Sequence, residues 1–209
     1  MDGRRNKLDA LKQLARSERH GSAGQRAGHR LRFLQNAMLP RALSVATPYV
    51  LLCNPNNPTA EHHPHDVAVD AAKQLKKRGG WLIVDEAFMD ATPVESLAPL
   101  AGTAEAPNLI VLRSLGKFFG LAGARVGFVL AAPDILNRLA ESIGPWTVSG
   151  PAREVARLAL LDVDWQTATR KKLTLAGARL HDMLQPLGEV KGAHLFVTLN
   201  SPHTAELHL

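Results

Sequence analysis

HDVAVDAAKQLKKRGGWLIVDEAF, residues 65–88, carries two periodicities in succession. Over 65–80, Val67, Ala71, Ala72 and Leu75 recur at helical spacing, cations gather toward the end and Gly follows, which predicts a helix with its stop signal. Over 81–88, an unbroken apolar run ends on two acids, Asp85 and Glu86, and reads as a strand buried on both faces. A helix that hands over directly to such a strand is the unit of an α/β fold. The expectation is a mainly parallel sheet with helices on both faces.

The flanking sequence repeats the unit. YVLLC (49–53) reads as a buried strand that opens into the turn cluster NPNNPT (54–59). NLIVLRS (108–114) and RVGFVLA (125–131) predict two more strands, with helices at 133–142, 150–161 and 165–185 and a last strand at AHLFVTL (193–199). Near the start, 6–16 has the pattern of a short amphipathic helix capped by Asn6. No internal repeat or low-complexity segment interrupts the chain.

Among 209 residues the hydrophobic share is 45% and the charged share 21%, as in ordinary soluble globular proteins. The net charge of +6 suggests nucleic acid until it is located. Residues 1–32 hold nine Lys/Arg against three Asp/Glu, and the remainder balances sixteen against sixteen. Charge confined to one end describes a basic arm, and no nucleic-acid partner is expected. One cysteine, Cys53, rules out an intramolecular disulfide and suits a reducing compartment. No apolar stretch has the length of a membrane span and the first twenty residues are too polar for a secretory signal, so a cytoplasmic protein is expected.

In parallel sheets, ligands bind at the carboxyl ends of the strands. The polar residues of this chain fall there: Asn54, Asn56 and Asn57 after one strand, Asp85 after the next, Ser114 and Lys117 after the third. Arg125 follows eight positions after Lys117, among Gly, Ala and Val. A phosphate-cradling nucleotide loop is excluded, because it needs Gly at 111 and Ser or Thr at 118, where this chain has Val111 and Phe118. EHHPHD (61–66) clusters His62, His63 and His65, but Pro64 breaks any helical register between them and no metal is expected. A phosphate-bearing carbonyl compound fits the remainder. A lysine in a dry, apolar setting is partly neutral and forms an imine with an aldehyde. Arg and Ser near a Gly-rich turn hold a phosphate dianion. An Asp keeps a pyridine nitrogen protonated, and an Asn donates to a phenolic oxygen on the same ring. These are the requirements of pyridoxal 5'-phosphate.

In this order and spacing, NPNNPT (54–59), VDEAF (84–88) and SLGKFFGLAGARVG (114–127) resemble the aspartate aminotransferase family, fold type I of the pyridoxal-phosphate enzymes. The similarity runs from about residue 24 to the end. It implies that Lys117 carries the cofactor as an imine and shuttles protons, and that Asp85 pairs with the pyridine nitrogen. It further implies that Asn57 contacts the phenolic oxygen, with Pro58 in a cis bond, and that Ser114 and Arg125 hold the phosphate. Within the family, DEAFMDATPVESLA (85–98) and GPWTVSGPAR (144–153) look most like the threonine-phosphate decarboxylase group of cobalamin biosynthesis. That likeness implies loss of carbon dioxide from L-threonine O-3-phosphate to give aminopropanol phosphate. Histidinol-phosphate aminotransferases are the nearest alternative, and they usually have Tyr where this chain has Phe88. A homodimer is likewise implied.

Three expectations come from departures. Ala60 stands where the family closes NPNNPTG with Gly. The family's upstream phosphate loop and ring-stacking aromatic, and its substrate-carboxylate Arg, have no counterpart. The expectation is therefore a partial member, a gene fragment, shifted frame or degraded copy, that binds cofactor weakly, turns over little or survives as a non-catalytic remnant. Its expected division is a basic irregular arm at 1–31, an incomplete cofactor-binding large domain at 32–165 and the start of a small domain at 166–209. Trp146 and Ser149 could line the pocket, with packing the commoner role for such a Trp.

Overall fold

A computed structural model describes residues 32–34, 39, 43, 47–203 and 206. The expected basic arm and the helix at 6–16 lie outside these residues. Five strands form one sheet: β1 (Arg32–Leu34), β2 (Tyr49–Cys53), β3 (Trp81–Asp85), β4 (Leu109–Ser114) and β5 (Gly127–Leu130). They lie in sequence order, the first four mutually parallel and β5 antiparallel to β4. The mainly parallel sheet therefore stands as expected. The short β1 was not foreseen, because three residues among polar neighbours carry too little apolar signal.

Burial alternates along the strands and sends each set to a different face. Val50, Leu52, Leu82, Val84, Leu109 and Val111 pack with Ala68, Ala71, Ala72 and Leu75 of α1 (His65–Lys76). Leu51, Ile83, Ile110 and Leu112 pack on the opposite face with Ile135 of α2 (Pro133–Ile143). Both faces are covered, so the strands read as continuous apolar runs. Within α1 the predicted face shifts slightly: Val69 is buried and Val67 is exposed. The helix stops at Lys76, earlier than the expected 80. Gly79 then turns at φ 69°, and the Gly80 N–H donates to the Leu75 carbonyl at 2.8 Å. A Cβ on Gly80 would lie 2.6 Å from the Pro48 oxygen, so only glycine lets the chain pass into β3 here.

A third cluster lies beyond the sheet. Leu115, Phe118, Phe119 and Val126 pack with Ala156 of α3 (Gly150–Leu161). Trp165 of α4 (Val163–Leu184) stacks on Phe119 and meets Phe118 edge-on. The expected division at 165/166 falls inside α4. An antiparallel hairpin follows, β6 (Glu189–Ala193) with β7 (Phe196–Asn200). Only its second strand was anticipated, because Lys191 and Gly192 dilute the apolar pattern of the first. Among the described residues no helix is long and apolar enough to cross a membrane.

Asn108 ties these layers together. Its buried side-chain amide donates to the Ala72 carbonyl at 2.9 Å and the Gly80 carbonyl at 2.8 Å, joining α1 to the entry of β3. Asn108→Ala leaves both carbonyls without this donor and is expected to destabilise the protein by about 1–3 kcal/mol, read from urea unfolding.

Candidate functional site

Strand pairing sets the site's geometry. Cys53 pairs with Asp85, Asp85 with Leu112, and Ser114 with Gly127, so the loops after β2, β3 and β4 and the loop before β5 leave one sheet edge. Asn57, Asp85, Ser114, Lys117 and Arg125 all lie on these segments.

The three asparagines of the first loop separate by role. Asn54 is wholly buried; its side chain accepts from the His63 N–H at 2.9 Å and donates to the His63 carbonyl at 3.1 Å. Asn56, also buried, donates to Thr59 Oγ1 at 2.7 Å. Both shape the loop, while Asn57 is half-buried beyond them. The Asn57–Pro58 bond is cis, as is Asn54–Pro55. Thr198 of β7 donates its hydroxyl to the Pro58 carbonyl, bringing the hairpin onto this loop.

Asp85 ends β3 half-buried. Its Oδ1 accepts from the Ala87 N–H at 3.1 Å, and its carbonyl accepts from the Asn54 N–H at 3.0 Å. Ser114 ends β4, where its Oγ accepts from the Gly116 N–H at 3.2 Å. Lys117 follows in a turn closed by the Gly120 N–H on the Lys117 carbonyl at 3.0 Å. Arg125 takes the left-handed conformation at φ 56°, and its guanidinium donates to the Ala122 carbonyl at 3.1 Å.

The dry setting expected for Lys117 is corrected. The residue is exposed, with its Nζ 5.1 Å from the centroid of the Phe88 ring. Its sequence neighbours Phe118 and Phe119 turn inward to the cluster under α3 and α4, where they remove apolar area from water. The amine faces the ring of Phe88, which Phe196 of β7 meets edge-on at 4.9 Å. The packing role expected of Trp146 is corrected as well: the residue is 92% exposed. Ser149 caps α3, its Oγ accepting from the Ala152 N–H at 3.4 Å. Of the histidine cluster, His62 pairs with Glu95 at 3.2 Å, and burial lowers the His63 pKa below its usual range.

Sequence reading passed over a set of buried charges one position from the site residues. Glu86, fully buried, follows Asp85; Arg113 precedes Ser114; their side chains pair at 3.1 Å. Asp90 and Ser96 complete the set. The available signal was two charges closing otherwise apolar strands, at 86 and 113.

Chemically, two cations, a carboxylate, a hydroxyl and an amide share this edge. That donor set suits an anionic group together with an aldehyde and a ring nitrogen. The loop before it holds Ala60 at φ 56°, the conformation that glycine adopts freely. A side-chain-bearing residue there costs about 1–2 kcal/mol, less roughly 0.5–1 kcal/mol of extra entropy lost by glycine. Ala60→Gly should therefore raise stability by about 0.5–1 kcal/mol, seen as a higher urea midpoint at unchanged m-value.

The chain is similar to known proteins. The family model described as aminotransferase class I and II matches residues 2–204. The threonine-phosphate decarboxylase of Pseudomonas aeruginosa is 45% identical over 192 residues, which are 90% of this chain and 56% of that protein. A threonine-phosphate decarboxylase of a Sinorhizobium species is 42% identical over 169 residues, 79% of this chain and 49% of the relative. The chain thus spans about half the length of the curated relatives it matches. The crystal structure of histidinol-phosphate aminotransferase from Sinorhizobium meliloti in complex with pyridoxal-5'-phosphate superposes with a TM-score of 0.65 at 28% identity, over 77% of this chain and 43% of that one.

Proposed function

We propose, from the premise that this chain belongs to the aminotransferase class I and II family, that its sheet edge is a pyridoxal-phosphate site. The reaction we assign is decarboxylation of L-threonine O-3-phosphate to aminopropanol phosphate, in cobalamin biosynthesis. The observation that carries the reading is that Asn57, Asp85, Ser114, Lys117 and Arg125 lie on the segments that run from β2, β3 and β4 and into β5 at one edge of the sheet. Two threonine-phosphate decarboxylases among the relatives, at 45% and 42% identity, support the choice of reaction. Phe88 also supports it, since the ring beside Lys117 has no hydroxyl to donate to a phenolic oxygen.

Pyridoxal phosphate, when bound, supplies an electron sink in its protonated ring. The residues divide the remaining work. Lys117 Nζ would hold the aldehyde and would carry the proton that the product gains in place of the carboxylate. Asp85 would keep a proton on the ring nitrogen; its contact with the Ala87 N–H fixes how the carboxylate is turned. The Ser114 hydroxyl and Arg125 guanidinium would hold the phosphate, and the Asn57 amide would donate to the phenolic oxygen. With the cofactor held by these residues, the orientation in which the site held the substrate carboxylate would decide between decarboxylation and transamination.

The proposed assembly is a homodimer, the proposed setting the cytoplasm, and the proposed large domain 32–165, with 166–209 opening a smaller one. A chain with one cysteine, Cys53, fits a reducing compartment. Likeness to the S. meliloti histidinol-phosphate aminotransferase favours transamination as the second reading. Incubation with each phosphorylated amine separates them, because only transamination leaves the cofactor as its pyridoxamine form.

Two outcomes are expected. Borohydride reduction of the chain with pyridoxal phosphate should place the pyridoxyl mass on the peptide containing Lys117; a label on another lysine contradicts the assignment. Lys117→Ala should lower carbon dioxide release from threonine phosphate by about 10²–10⁴-fold.

A further inference from the structure

We propose that Glu86 and Arg113 are positioning residues, holding Asp85 and Ser114 side by side for the two ends of the cofactor; this inference rests on the pyridoxal-phosphate reading above. Each lies next to a site residue in the chain, and successive residues of a strand face opposite ways. Asp85 and Ser114 are half-buried while Glu86 is fully buried. The ladder continues past the strand, the Glu86 N–H donating to the Leu112 carbonyl at 2.9 Å. Any movement of Glu86 relative to Arg113 is therefore passed through one peptide unit to the site.

The pair is held from every side. Glu86 Oε1 accepts from the Leu97 N–H at 2.7 Å, and Oε2 accepts from Ser96 Oγ at 2.5 Å and from Arg113 Nη1 at 3.1 Å. Arg113 Nη1 also donates to Ser96 Oγ at 2.8 Å, and Nη2 pairs with Asp90. Arg170 of α4 donates to the Asp90 carbonyl at 2.9 Å and lies 5.2 Å from the centroid of Phe118, the residue after Lys117. One network thus touches the neighbours of Asp85, Ser114 and Lys117.

Stability alone does not account for it. Burial raises the Glu86 pKa, and the Ser96 and Leu97 hydrogen bonds and the Arg113 charge only oppose that rise. Buried ion pairs commonly contribute no more than an apolar replacement of the same size. A planar guanidinium fork against two carboxylates supplies direction instead. At a site that must meet both a ring nitrogen and a phosphate, direction is the useful property.

The test uses the full chain, pyridoxal phosphate as probe, and two conservative variants. Glu86→Gln keeps an acceptor for the Leu97 N–H and loses the charge; Arg113→Lys keeps the charge and loses the fork. Dissociation constants are measured well below each variant's unfolding transition, with folding checked by circular dichroism. We expect both variants to stay folded, to bind pyridoxal phosphate at least tenfold more weakly, and to shift the visible band of the Lys117-bound cofactor. Unchanged affinity and band in folded variants would overturn the positioning role while leaving the cofactor reading intact. Failure of both variants to fold would assign the network to stability and overturn it equally. No binding by the unsubstituted chain would overturn the cofactor reading and this inference with it.

Discussion

Parallel pairing of β2, β3 and β4 is the constraint on which the rest depends. Because Cys53 aligns with Asp85 and Asp85 with Leu112, β2 and β3 end level and β4 runs two residues further, to Ser114. Every loop that leaves them then starts from the same edge. The antiparallel β5 returns its own beginning to that edge, pairing Gly127 with Ser114, and so delivers Arg125 to the site. Slipping any of these pairings by one residue would exchange the faces of a strand and carry its closing polar residue out of line with the neighbouring loops.

Much of this was legible because the strands are buried on both faces and are written as unbroken apolar runs. Tyr49 to Cys53 and Trp81 to Asp85 left little choice of structure, and the polar residues that close them marked the edge. Strand pairs with weak local signals were harder. Arg32–Leu34 and Glu189–Ala193 are short or polar, and their pairing partners make them strands. Tertiary packing decided these segments; local pattern could not.

The candidate site was legible by residue type and less so by environment. Asn54, Asn56 and Asn57 look alike in sequence, yet the first two are consumed by the loop's own hydrogen bonds. The phenylalanines beside Lys117 suggested an apolar cage, but a residue's neighbours in the chain need not be its neighbours in space. Phe118 and Phe119 face α3 and α4, and the aromatic wall at the amine comes from Phe88, twenty-nine positions earlier. Glu86 and Arg113 were hidden for a related reason: only the fold reveals that two isolated charges, each ending an apolar run, meet in the interior.

The central claim is spatial: one sheet edge places an amine, a carboxylate and a phosphate-binding pair around a single small molecule. A crystal structure of the chain grown with pyridoxal phosphate measures that directly. The account predicts continuous density from Lys117 Nζ into the cofactor, the ring nitrogen beside Asp85 and the phosphate between Ser114 and Arg125. Cofactor bound elsewhere on an ordered chain, or seated at this edge with its phosphate turned away from Ser114 and Arg125, would contradict it.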